Sequence, residues 1–241
     1  MRLKIILILF AISLYFVSYF LYFDKNYFSI AQQSVISDYD FNNYIEQMKG
    51  HLDASIINVQ NNNTKLAVAH ALHPIEEILD IINSRLIQTN ETLTKEFTTK
   101  LNNYVQTVRS GNLNEIIIEK KDIEELLNLA LNQSISLEKR NNPVYILNVT
   151  AELINTASEE YNEAMYNGKI INLLEYQDGQ QFIKRTILLL KDSQEFLSDN
   201  DKNYIMKIQN IEKDLDLKRD PSEIDSEVKD MICEIKKGLY C

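Results

Sequence analysis

Between positions 66 and 86 the apolar residues Leu66, Ala69, Leu72, Ile75, Leu79, Ile82 and Leu86 recur every three or four positions. That spacing lines up on one face of an α-helix and scatters over both faces of a strand. The rhythm returns in Leu93, Phe97, Leu101 and Val105, and no segment alternates apolar and polar residues long enough to make a strand. Five Gly and three Pro in 241 residues are also too few for a sheet-rich domain with a tight turn every ten residues or so. The fold class is therefore all-α.

Helix punctuation predicts an up-and-down bundle of about seven helices. The first, about 34–60, is polar and poorly patterned, and Asn61-Asn62-Asn63 ends it. A second opens at Thr64, a third covers about 91–109 before Gly111, and a fourth covers 113–135. Asn141-Asn142-Pro143 starts the fifth, about 143–166, with Gly168 expected just past its C-terminus. Asn172 and Glu175 form a cap and capping-box pair for a sixth helix to about 197. A seventh covers 202–217, and Asp220-Pro221-Ser222-Glu223 is a further start signal for a helix ending at Lys236-Lys237-Gly238.

Residues 5–23 carry no charge, Gly or Pro, and nineteen residues of helix span roughly 28 Å, about one bilayer core. Arg2 and Lys4 precede this run, so the N-terminus is expected in the cytoplasm and the bulk of the chain outside, at the cell membrane. Tyr15, Tyr19 and Tyr22 suit interface anchors of one transmembrane helix, while Ser29-Ile30-Ala31 has the small residues of a signal-peptidase site. Residues 1–31 thus read as a signal anchor, or as a signal peptide cut after Ala31 with a secreted product. Residues 32–241 read as an extracytoplasmic helical bundle. In that compartment Cys233 and Cys241 can close a small terminal loop if the last helix stops near Gly238; two free thiols are the alternative. A net charge of −10, with no compensating basic stretch, excludes nucleic acid as a partner.

The chain has three histidines, His51, His70 and His73. On a helix His70, His73 and Glu77 fall on one face, so two imidazoles and a carboxylate converge, with Glu76 or Asp80 close by. Nitrogen and oxygen donors of this kind suit a borderline transition metal ion such as Fe, Cu or Zn. Pro74 has no N–H for the His70 carbonyl, so the helix is expected to kink or begin there. A second acidic group comprises Glu152, Glu159, Glu160 and Glu163, then Glu175 and Asp178. A carboxylate-bridged di-iron centre would need Glu-x-x-His on two helices, which is absent. With no Gly-framed nucleophile and no phosphate-cradling glycine loop, no enzymatic activity is expected.

The run Glu160-Tyr161-Asn162-Glu163-Ala164-Met165-Tyr166-Asn167-Gly168-Lys169-Ile170-Ile171-Asn172, with Glu175-Tyr176-Gln177-Asp178 and Phe182, resembles the extracytoplasmic helical region of prokaryotic high-affinity iron permeases. Ala69-His70 through Glu76 is similar to the His-x-x-Glu element of imelysin-like iron-uptake proteins. The resemblance implies a metal-handling or accessory domain beside a membrane transporter, with Glu160, Glu163, Glu175 and Asp178 as the positions carried over. It does not imply transport itself, because the permease's transmembrane Arg-Glu-x-x-Glu motif is absent and one membrane segment makes no channel. The expected function is binding of iron, copper or zinc, or support of its uptake, through His70, His73 and Glu77, with Glu163, Glu175 and Asp178 of the acidic hairpin facing them or making a second site. A structural or sensory protein-interaction module without metal is the alternative.

Overall fold

The structure, a computed structural model, describes residues 36–236. The chain begins with α1 (Asp38–Gln60), α2 (Thr64–His73), a π-helical turn (Pro74–Leu79), α3 (Asp80–Ser110) and α4 (Leu113–Ser134). A single turn, α5 (Leu137–Arg140), leads to α6 (Pro143–Ala164), a two-residue hairpin of β1 (Met165–Tyr166) and β2 (Lys169–Ile170), α7 (Leu173–Asp192), α8 (Asp199–Asp216) and α9 (Pro221–Ile235). The all-α bundle expected from the sequence is what forms. The expected transmembrane segment, residues 5–23, lies outside the described residues, and no helix among the described residues is long and apolar enough to cross a membrane.

The caps follow the chemistry of the sequence. Ser37, Asn63, Asn142, Asn172, Ser198 and Asp220 each accept a backbone N–H from the first turn that follows, and Ser198 with Asp201 completes a capping box. Glu175 does not close the box expected of it; its carboxylate accepts from the Asn172 side chain instead, at 3.3 Å. Helix α6 ends two residues earlier than expected, and Gly168 is not its C′ residue. Asn167 and Gly168, with φ of 50° and 69°, instead form the tight turn between β1 and β2, where both central residues need positive φ.

Pro74 neither breaks nor starts the helix. The missing N–H and the bulk of its ring are absorbed by widening one turn to π geometry over Pro74–Leu79, after which α3 continues. The real interruption lies at Asn90, which is extended (φ −164°) and caps its own restart by accepting from Leu93 N–H at 3.0 Å.

Two apolar clusters make the core. One joins α1 to α4 around Phe41, Leu52, Leu101 and Ile123; the other joins α6 to α9 around Tyr161, Phe182, Ile208 and Ile224. Helix α1 touches both groups, since it packs on α2 and α4 and also on α6 and α7. Its polar residues are consequently buried: Glu46 lies 2.7 Å from Lys49 and 2.6 Å from Arg185 of α7, well inside the protein. Burial penalises the Glu46 charge, but these two cations outweigh it and hold the carboxyl below its usual range. Cys233 is disulfide-bonded, and Cys241 lies outside the described residues.

Candidate metal centre

The helices bring the chain's whole histidine complement to one buried carboxylate. His51 comes from the middle of α1, His70 and His73 from the last turn of α2, and Asp178 from the second turn of α7. Two glycines allow the approach. A Cβ on Gly50, next to His51, would lie 2.7 Å from the Phe182 ring, and one on Gly179, next to Asp178, would lie 3.0 Å from the Ala157 carbonyl of α6. Only glycine lets α1 and α6 come this close to α7 at those levels.

All three imidazoles present Nδ1 to the carboxylate. His51 and His70 face Oδ1 at 2.7 and 3.0 Å, and His73 faces Oδ2 at 3.2 Å. His70 and Asp178 are fully shielded from solvent, and His51 and His73 are nearly so. His51 and His73 also meet edge to face, with centroids 4.9 Å apart, and Phe182 closes the apolar side of His51 at 5.0 Å. Behind His70, Nε2 reaches Gln177 Oε1 at 2.8 Å. Behind His73, Nε2 is 3.7 Å from Glu77.

Burial alone would discharge Asp178, but the surrounding imidazoles hold its carboxyl well below the ordinary carboxylate range. Burial likewise opposes a charge on His73, yet Asp178, Glu77 and Glu175 together raise its pKa. Next to the cluster, burial and the neighbouring Glu175 carboxylate push Glu160 up to about 9.

His51, His70, His73 and Asp178 each offer one donor atom, all within 4.8 Å of one another. A tetrahedral ion with bonds of about 2.0–2.1 Å needs its donors about 3.4 Å apart, so the widest pair in this group, at up to 4.8 Å, has to close by about 1.4 Å. His73 Nδ1 and Asp178 Oδ2 face each other with no hydrogen-bond partner despite burial. Buried polar atoms rarely stay unpaired, and this pair is where a cation would be shared. The residues present therefore fit a transition metal ion.

Of the positions read from the sequence, His70, His73 and Asp178 stand in this group. Glu77 is half-exposed behind His73, and Glu175 is partly exposed beside Glu160. Glu163, Glu76 and Asp80 are exposed and not among the four. His51 is the residue that sequence reasoning missed. Its signal was Gly50, an interior helical glycine that marks a close helix contact.

Residues 136–239 match the family model of the iron permease-associated 4-helix bundle domain. That part of the chain is similar to an iron-permease-associated helical region. The match spans the four long helices α6 to α9 and contains the Glu160 to Phe182 stretch that carried the resemblance. It contains Asp178 but none of the three histidines, which all precede it. No curated protein and no solved structure matches the chain.

Proposed function

We propose that this protein binds a transition metal ion, iron, copper or zinc, at His51, His70, His73 and Asp178, and that it does so as an accessory of iron uptake beside a membrane transporter. The observation that carries the reading is the convergence of three Nδ1 atoms on one buried carboxylate, with His73 Nδ1 and Asp178 Oδ2 left unpaired. The similarity of residues 136–239 to an iron permease-associated domain supports the link to iron. Three imidazoles and a carboxylate suit a borderline divalent ion better than hard Fe(III), which prefers oxygen donors. Four protein donors fill a tetrahedral shell, so the role is holding and passing on an ion, without catalysis. An anchor at residues 5–23 would keep the bundle at the outer membrane face, close to such a transporter.

Calorimetric titration of the full chain with Zn(II), with Cu(II), and with Fe(II) under anaerobic conditions tests this. One ion per chain is expected, and a hundredfold excess over the dissociation constant should stabilise the fold by about 2.7 kcal/mol. Asp178→Asn combined with His51→Ala should abolish both effects. Equal affinity in that variant and in the natural chain would overturn the reading.

A further inference from the structure

We propose that Gln177 is a positioning residue that fixes which nitrogen of His70 faces the cluster. The chain of hydrogen bonds starts at a backbone carbonyl. Ala54 O can only accept, so the Asn58 atom that meets it at 2.9 Å is Nδ2. The same Nδ2 donates to Gln177 Oε1 at 2.8 Å, and Gln177 Nε2 returns to Asn58 Oδ1 at 3.4 Å. Turning either amide over would set oxygen against oxygen or nitrogen against nitrogen. Gln177 therefore shows His70 an acceptor, and the ring must donate Nε2–H to it at 2.8 Å.

With Nε2–H committed, the neutral His70 ring has a lone pair at Nδ1, which faces Asp178 Oδ1 at 3.0 Å. Two acceptors at that distance repel unless a positive charge lies between them, whether a proton or a metal ion. His51 and His73 carry no such constraint from an amide, because among the described residues only His70 has a side-chain amide on its outer nitrogen. Gln177 thus makes His70 the ring that is ready to donate to a metal, the arrangement in which an outer carbonyl orients a ligating imidazole. This adds a residue to the metal reading above, and its first test below does not depend on that reading.

The test uses the full chain labelled with 15N-histidine, whose three rings give three sets of signals. In the metal-free natural chain, two-bond 1H–15N correlation spectra should show His70 Nε2 protonated. In Gln177→Met, where nothing accepts from Nε2–H, the ring should turn towards the Nδ1–H tautomer that donates to Asp178. A natural chain with His70 Nε2 unprotonated, or an unchanged ring in Gln177→Met, would overturn the proposal whether or not metal binds. The second arm measures Zn(II) affinity. Gln177→Met should weaken it by about 10- to 100-fold, and Gln177→Glu, which still accepts from Nε2–H, should restore it. Loss of affinity in both variants would reduce Gln177 to a packing residue, whereas no Zn(II) binding by the natural chain would sink the metal reading alone.

Discussion

Helices α1 and α9 are built on opposite plans. In α9 the buried residues Ile224, Val228, Met231 and Ile235 follow one another at spacings of four, three and four, and the other residues are partly or fully exposed. In α1 the buried set includes Asn42, Glu46, Lys49, His51, Ser55 and Asn58 as well as Phe41, Met48 and Leu52. The difference is one of position. A helix at the edge of a bundle buries one stripe, while a helix packed on four neighbours buries nearly its whole circumference, polar side chains included. Those polar residues must then be paired inside the protein, and the pairs at Glu46 and His51 are what result.

The sharpest way to break this comparison is to unpair a charge in α1. Glu46→Gln leaves Lys49 and Arg185 without their carboxylate and should cost about 3–5 kcal/mol in urea unfolding; a cost no greater than that of a surface change would mean α1 is not the central helix described. On α9, Ile224→Val trims one methylene from a fully buried side chain and should cost about 0.5–1.5 kcal/mol. Smallest of all, Lys229→Ala removes an exposed pair with Asp225 one turn away, and its effect should be about 0.3–0.5 kcal/mol. Should Lys229→Ala rival Glu46→Gln, the contrast between centre and edge collapses.

Titration sharpens the same contrast in the chelator-treated protein. Asp178 and Glu46 have depressed pKa values in the fold, so their stabilisation is present above the unfolded carboxylate range near pH 4 and is lost as the pH falls through the folded values. Glu160 has the opposite sign. Its pKa is raised to about 9, so the stability linked to its proton is full below about pH 4.5 and is lost as the pH rises towards 9. Urea midpoints at pH 5 and pH 8 should therefore converge in Glu160→Gln relative to the natural chain. An unchanged difference would show that Glu160 is ionised and hydrated like an ordinary surface carboxylate.

What could be read from the sequence follows the same division. The outer helices, the caps at Asn172 and Asp220 and the break near Asn90 were legible, because stripes and capping residues are local signals, whereas Ser198 caps a helix from Asp199 that was expected only from 202. His70 and His73 were legible for the same reason, since one helical turn separates them. Asp178 was visible as an acidic residue, but its place beside the histidines depends on α7 meeting α2 across more than a hundred positions, which no spacing reveals. His51 was hidden because α1 has no stripe from which to judge which side is buried. At Pro74 the disturbance caused by the missing N–H was legible, but not its form, one turn widened to π geometry. Glu163 and Glu175 belong to the surface and rim of the resemblance stretch, where capping and solvation account for them.

The most direct measurement is anomalous X-ray diffraction from crystals of the full chain grown with Zn(II). The account predicts one strong peak enclosed by α1, α2 and α7, about 2.0–2.1 Å from Nδ1 of His51, His70 and His73 and about 2.0–2.2 Å from an Asp178 oxygen. A peak found only at exposed carboxylates such as Glu163, with the three rings still facing Asp178 and no metal between them, would contradict it.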